Sequence, residues 1–389
     1  MLFRTPSIAL LFAAQALYWC CAMIGVTLTA LIGLQLAPSN ALATLPLAML
    51  VVGNLLSVQP LSLFMQRHGR RSGLLLGAAC GIAGGIFSAL AISLESFVLF
   101  CLGALPIGAY QASAMYYRFA AQDAVDEQHR GRATAYVLGG GVCAALLAPA
   151  MAIWARNALP IPFTGAYLLI SVLAGVGLLL LWHLPPGGSS TPAGSGFQLA
   201  RDLLGRPIIR TAMLTTAIGH GLMVLVMNAT PLAMSFCGLS LETSAEVIRW
   251  HMLGMFLPAF VAGPLVDRLG ATRMALLGCL TLIGSAAIAL SGLSQEYFLI
   301  SSFLLGLGWN LLMVAGSTLL AQGHSANERG QAQGMMELGN GVVAACAAFA
   351  SGALISNLGW SALNIAMLPL LALALFKLPL RRKPLSLPG

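Results

Sequence analysis

The stretches Gln66-Arg67-His68-Gly69-Arg70 and Asp267-Arg268-Leu269-Gly270-Ala271 lie 201 residues apart, each just past a long apolar run. Gly53 meets Gly254 at the same spacing upstream. Downstream, Leu105-Pro106-Ile107-Gly108 meets Leu305-Gly306-Leu307-Gly308 and Ala121-Gln122 meets Ala321-Gln322 at a spacing of 200, and Arg130-Gly131-Arg132-Ala133 meets Arg329-Gly330-Gln331-Ala332 at 199. Each match is short, but a near-constant spacing over three separate places is the mark of an internal duplication. The chain reads as one unit used twice.

That unit is built for lipid. Of 389 residues 59% are hydrophobic and 8% charged, with a mean hydropathy of +0.89, whereas charged residues make up about 25% of a soluble domain. A membrane span needs about 20 mostly apolar residues. Cutting at Pro, Gly, Asn and charge clusters predicts twelve, over 7–34, 41–65, 72–92, 97–119, 132–155, 164–183, 207–236, 243–266, 273–292, 296–321, 330–355 and 360–378. Six spans per half insert both copies in the same orientation, related by an axis along the membrane normal, with a path between them. The fold class expected is an all-α membrane protein of two pseudo-symmetric six-helix bundles. The dividing stretch Pro185-Pro186-Gly187-Gly188-Ser189-Ser190-Thr191-Pro192-Ala193-Gly194-Ser195-Gly196 is too small and polar to bury a core and reads as a flexible linker. After it, Phe197, Leu199, Leu203 and Leu204 alternate with Arg201, Asp202 and Arg206, which suits a short amphipathic helix along the membrane surface. The organisation expected is a bundle over 1–184, a cytoplasmic linker over 185–206 and a second bundle over 207–389.

The net charge of +8 and pI of about 9.3 would suit a nucleic-acid partner, but nearly every Lys and Arg sits at the end of an apolar run. Placing both termini and the even-numbered connections on one side gives that side Arg4, Arg67, Arg70, Arg71, Arg118, Arg130, Arg132, Arg201, Arg206, Arg210, Arg268, Arg273, Arg329, Lys377, Arg381, Arg382 and Lys383, and leaves Arg156 and Arg249 opposite. The asymmetry predicts cytoplasmic termini in a bacterial inner membrane and excludes a nucleic-acid partner. The first apolar run lacks a small-x-small cleavage site and reads as a retained span. Eight cysteines lie in apolar runs without metal or redox spacing and read as small buried hydrophobes. Gly139-Gly140-Gly141 and Gly84-Gly85 lie inside spans and form no phosphate loop, so no ATP site, metal or cofactor is expected.

Pro264-Leu265-Val266-Asp267-Arg268-Leu269-Gly270 and Gln66-Arg67-His68-Gly69-Arg70-Arg71 resemble the two copies of the signature loop of the major facilitator superfamily, roughly G-x-x-x-D-R-x-G-R-[RK]. The second copy keeps Gly263 and Asp267; the first has Ser62 and Gln66 in their places. The resemblance covers essentially the whole chain. It implies a fold in which spans 1, 4, 7 and 10 line a central cavity, spans 2, 5, 8 and 11 flank it and spans 3, 6, 9 and 12 face lipid. It also sets the loop with Arg67, Gly69, Arg70 and Arg71 opposite Glu328 and Glu337 at the start of span 11, and Asp267 and Arg268 opposite Arg130 and Arg132 at the start of span 5. Opposite charges would then meet at a cytoplasmic gate that closes when the carrier faces outward. Glu337 lies roughly two turns into an apolar span, about 11 Å along the helix. An intramembrane carboxylate is a functional candidate by default. It would pair with Arg67 or Arg70, the preferred reading, or titrate as a proton-coupling group.

The cavity candidates on the lining spans are Gln15, Tyr18, Trp19, Tyr110, Gln111, Tyr116, Tyr117, His220, Asn228, Trp309 and Asn310. Aromatic faces with amides suit a neutral or weakly polar organic solute, although such residues also bridge spans as ordinary packing. Tyr110 and Asn310 are equivalent in the repeat and would face each other across the axis. His220 is the second proton-coupling candidate, with a structural role equally open. Glu246 and Arg249, three apart on span 8, are expected to pair. The lining spans carry no mid-depth carboxylate, which weighs against an organic cation. A membrane enzyme would need mid-depth clusters of His and Asp/Glu, and none is present. The function expected is a monomeric secondary transporter moving a small organic solute by rocker-switch alternating access. Export, with coupling to protons as its candidate energy source, is the leading reading; import of a nutrient or vitamin-like solute is the alternative, and a non-transporting sensor the third.

Overall fold

Lipid cannot satisfy a bare peptide group, so a chain crossing it must close its own backbone hydrogen bonds, and the long apolar runs do so as helices. The computed structural model describes residues 5–38, 42, 45–186 and 196–378. Among the described residues twelve helices are long and apolar enough to span a membrane. Spans 1 to 6 are Pro6–Leu36, Leu45–His68, Arg70–Ser93, Phe97–Asp123, Glu127–Arg156 and Thr164–Trp182. Spans 7 to 12 are Pro207–Phe236, Glu242–Leu269, Ala271–Ser291, Gln295–Gly323, Ala326–Ile355 and Asn357–Lys377. The expected linker is described only at its edges: residues 187–195 lie outside the described residues, as do Arg4, Arg381, Arg382 and Lys383 of the charge tally. The amphipathic helix forms as Phe197–Gly205, with Leu203 buried and Phe197 exposed.

The duplication is visible in the backbone. Spans 2 and 3 are joined at Gly69 (φ 87°, ψ 154°) and spans 8 and 9 at Gly270 (φ 82°, ψ 155°), a left-handed turn that only glycine adopts without strain. Gly53 and Gly108 bring spans 2 and 4 backbone to backbone, and Gly254 and Gly306 do so for spans 8 and 10. The two halves meet where span 2 runs beside span 11 and span 5 beside span 8. Three spans are broken at mid-depth: span 4 at Met115–Tyr116, span 5 at Gly140 and span 8 at Leu257–Pro258. Lipid-facing apolar residues such as Leu56, Val98, Ile153 and Phe349 stay exposed. The cysteines are less uniform than expected: Cys237 and Cys346 are exposed, while Cys20, Cys21, Cys101 and Cys279 are buried. The surface that carries the connections between spans 2 and 3, 4 and 5, 8 and 9, and 10 and 11 is called the basic side below.

Candidate functional site

Between the halves lies a cavity of about 270 Å³. Gln15 and Trp19 of span 1, Gln111 of span 4, His220 of span 7 and Trp309 of span 10 line it, as expected of them. Their immediate neighbours do not. Consecutive residues on a helix point about 100° apart, so in each of the pairs Tyr18–Trp19, Tyr110–Gln111 and Trp309–Asn310 one side chain reaches the cavity and the other packs behind it. Tyr18 meets Tyr110 edge to face at 5.4 Å. Tyr116 donates to the Val58 carbonyl at 2.7 Å, and Tyr117 is fully buried. Asn310 Nδ2 donates to the Met255 carbonyl at 2.7 Å, so it does not face Tyr110 across the axis. Asn228 is exposed and off the cavity wall.

The cavity also recruits residues from spans expected only to flank it. Asn54 comes from span 2, and span 11 supplies Glu337, Asn340, Gly341, Ala344 and Ala348. That stripe at helical period was present in the sequence as a signal, because residues three and four apart share a face. Trp19 meets Phe256 in a tilted contact at 5.0 Å, and Phe256 meets Trp309 edge-on at 6.1 Å, so two indoles from opposite halves share one aromatic backing. Trp309 Nε1 donates to His220 Nδ1 at 3.0 Å. This bond requires an unprotonated Nδ1 and puts the proton of the neutral ring on Nε2. Trp19 Nε1 and Asn340 Oδ1 are buried without a hydrogen-bond partner among the described residues.

At the cavity floor Glu337 forms an ion pair with Arg118, their side chains 4% and 2% exposed. This corrects the expectation that Glu337 pairs with Arg67 or Arg70. The sequence put Arg118 among the basic-side charges, but the break at Met115–Tyr116 turns it inward beneath the cavity. The pair joins span 4 of one half to span 11 of the other. Arg118 also lies over the Phe119 ring at 4.8 Å, and its Nε has no hydrogen-bond partner among the described residues.

Below this floor the basic side is closed by contacts between the halves. Gln66 accepts from Gly330 N at 2.8 Å and donates to the Asn327 carbonyl at 2.5 Å, while Ser62 donates to the Gly330 carbonyl at 2.8 Å. Where the signature loop usually has a carboxylate, a neutral amide caps the start of span 11. Arg70 donates to Asp123 at 2.9 Å and to Gln333 at 2.5 Å, and Arg329 pairs with the other Asp123 oxygen at 3.2 Å. Asp123, missed in the sequence, is therefore the carboxylate that Arg70 meets. Its position at the end of span 4, between Arg118 and Arg130, was the available signal.

At the second copy Asp267 pairs with Arg132 at 3.2 Å, as expected, but Arg130 pairs with Glu127 of its own connection and Arg268 is exposed. Glu328 is taken by Arg206, at 2.6 and 2.8 Å, rather than by the loop arginines. Arg71 lies over Trp182 at 5.0 Å, Arg67 is exposed, and Gly69 serves as the turn. Glu246 accepts from Gln295 at 3.2 Å, not from Arg249. A second, polar cavity of about 500 Å³ lies within this closure, lined in part by Asp123, Arg130, His324 and Arg329. Burial, with Arg329 and Arg70 nearby, holds the His324 imidazole below its ordinary value and so neutral at pH 7.

An aromatic and amide cavity thus lies between two six-helix halves and is closed on one side by polar contacts. Residues 216–388 match the family model of the Major Facilitator Superfamily. The chain is 36% identical over 383 residues to the riboflavin transporter RfnT of Brucella anthropi, covering 97% of this chain and 96% of that one. It is 30% identical to the uncharacterised MFS-type transporter YdeG of Bacillus subtilis, over 88% of this chain and 84% of that one. Among solved structures, the transporter FucP in the outward conformation superposes with a TM-score of 0.77 at 15% identity, over 97% of this chain and 98% of the other. A bacterial homologue of the iron transporter ferroportin in an outward-facing state also gives 0.77, at 14% identity over 96% of this chain and 98% of the other. The chain belongs to the major facilitator superfamily and is a multi-pass membrane transporter, not an enzyme.

Proposed function

We propose that this transporter carries riboflavin or a closely similar planar vitamin, inward across the bacterial inner membrane. The observation that carries the proposal is the cavity wall: indoles from both halves, Trp19 and Trp309, beside the amides of Gln15, Asn54, Gln111 and Asn340. A flavin presents a flat tricyclic face for stacking and a dione edge with one N–H donor between carbonyl acceptors. The amides of Gln15, Asn54, Gln111 and Asn340 offer donors and acceptors suited to such an edge. The relation to RfnT over nearly the whole chain favours this vitamin-like reading over efflux of amphipathic compounds. The strongly one-sided arginines favour a cytoplasmic basic side; on that reading the cavity faces outward and the Gln66, Arg70–Asp123 and Arg132–Asp267 contacts form its cytoplasmic gate.

Uptake of radiolabelled riboflavin by a riboflavin-requiring bacterial strain without its own importer tests this directly. Accumulation above the empty-vector strain is expected, and binding should quench the fluorescence of the purified protein. Trp19→Ala should weaken binding by roughly tenfold to a hundredfold, as loss of one stacking face costs about 1.5–3 kcal/mol. Neither uptake nor quenching, or efflux alone in everted vesicles, would reject the substrate or the direction.

Proton coupling is a second reading, favoured by one observation: a single buried carboxylate, Glu337, joins the halves at the cavity floor. A solute that draws Arg118 toward itself would leave Glu337 to take a proton, tying occupancy to proton movement. Riboflavin accumulation in proteoliposomes should then follow an imposed pH gradient in wild type and vanish when a protonophore collapses that gradient. Gradient-independent accumulation by wild type would rule it out.

A further inference from the structure

The amides at the cavity wall, Gln15, Asn54, Gln111 and Asn340, each carry an oxygen and an NH2 group, so by chemistry they accept or donate. His220 of span 7 has no such choice. Its Nδ1 accepts from Trp309 Nε1 of span 10 at 3.0 Å. An indole N–H only donates, so Nδ1 holds a lone pair and the ring proton sits on Nε2. The ring is half-buried and lines the cavity, and Nε2 makes no hydrogen bond among the described residues. At that edge His220 is a donor and nothing else.

Packing holds the ring at this angle. A Cβ on Gly219 would come within 2.9 Å of Leu312 in span 10, and one on Gly221 within 2.5 Å of Val343 in span 11, so the glycines on either side of His220 let span 7 lie close against both helices. Close contact on both flanks leaves the helix little room to roll about its axis. Trp309 is 3% exposed and meets the Phe256 ring edge-on at 6.1 Å, a contact that keeps its N–H aimed at the imidazole.

A fixed donor in a cavity selects a solute with an acceptor opposite it, because a donor left unpaired on desolvation costs more than the made bond gains. On the reading that the solute is a flavin, the acceptors besides the two carbonyls are the ring nitrogens N1 and N5. N1 lies beside the ribityl substituent, whose hydroxyls reach it, whereas N5 stands open. We propose that His220 determines specificity by donating from Nε2 to the flavin N5, and that Trp309 is the positioning residue that fixes the donating tautomer. His220 then holds solute rather than carrying a proton. Reduction of a flavin puts a proton on N5 and sets one donor against another, so the site takes the oxidised form and turns away the dihydro form.

Quenching of the fluorescence of the purified protein is read with riboflavin and with 5-deazariboflavin, in which a C–H replaces N5. Wild type should bind the deaza analogue about tenfold or more weakly than riboflavin. His220→Phe should bind riboflavin weakly by a similar factor and no longer tell the two apart. In His220→Gln, whose amide can donate or accept, riboflavin binding should return to within about fivefold of wild type. Dihydroriboflavin, added with oxygen excluded, should bind His220→Gln more tightly than it binds wild type. Equal binding of riboflavin and its deaza analogue by wild type, discrimination retained by His220→Phe, or a preference for the oxidised form unchanged in His220→Gln overturns the proposal.

A measurement without solute isolates the part played by Trp309. Nitrogen NMR of protein made with isotope-labelled histidine shows which ring nitrogen bears the proton, and the His220 signal is the one missing from His220→Phe. Wild type should carry the proton on Nε2 alone. Trp309→Phe, which keeps an aromatic ring but loses the N–H, should populate both neutral tautomers. A proton on Nδ1 in wild type, or a tautomer unmoved in Trp309→Phe, overturns the proposal. Absence of any riboflavin binding would reject the flavin reading itself, whereas riboflavin binding without these differences overturns the present proposal alone.

Discussion

Glu337→Gln is expected to abolish transport and to destabilise the protein by about 3–5 kcal/mol, because it leaves the Arg118 guanidinium as an uncompensated buried charge. Both side chains are almost wholly withdrawn from solvent, and Arg118 already has one N–H without a partner, so little water is at hand to take over. The double variant Arg118→Gln/Glu337→Gln removes both charges and should recover most of that stability, since neutral isosteres of a buried ion pair often cost little. It should not recover transport if the pair is the element that solute and the second half both engage. Thermal unfolding in detergent and riboflavin uptake report the two effects separately. A single variant as stable as wild type would mean that the pair is more hydrated than its burial indicates.

Asp123→Ala is expected to shift the conformational equilibrium most strongly of any change outside the cavity. The carboxylate bridges Arg70 of span 3 and Arg329 of span 11, at 2.9 and 3.2 Å, and its loss leaves two like charges side by side at the closure between the halves. Charge-assisted hydrogen bonds of this kind contribute about 1.5–3 kcal/mol. Loss of about 2 kcal/mol from the closed side moves the ratio of the two orientations roughly thirtyfold toward opening of the basic side. Maleimide labelling of Gln333→Cys, which lies beside Arg70 in the closure, should rise accordingly in intact membranes. Asp267→Asn should do less, because Asp267 pairs with one arginine, Arg132, where Asp123 bridges two.

The same comparison shows how far the sequence carried. Spans were legible because burial in lipid demands continuous apolar helices, and the duplication because Gly69 and Gly270 must each make a turn that other residues make only with strain. The basic-side closure was legible as charge but not as pairing. Arg70, Glu328 and Glu337 each found a partner other than the one expected, and Arg118, expected only among the basic-side charges, turned out to pair with Glu337. Ion pairs form between whichever opposite charges the packing brings within about 4 Å, and a break such as that at Met115–Tyr116 redirects a side chain without any mark in the charge pattern.

The amino-acid sequence by itself determined the twelve spans, the two-fold repeat, the one-sided charge and the residue types available for a solute cavity. All of these follow from local rules: hydropathy along the chain, helical period and turn chemistry. Only the tertiary structure decided which member of each neighbouring pair, Trp19 or Tyr18, Gln111 or Tyr110, Trp309 or Asn310, faces the cavity. It also decided that Asp123 and Arg118 complete the charged contacts. Those outcomes depend on helix rotation and on contacts between residues some 200 positions apart, which no local pattern records.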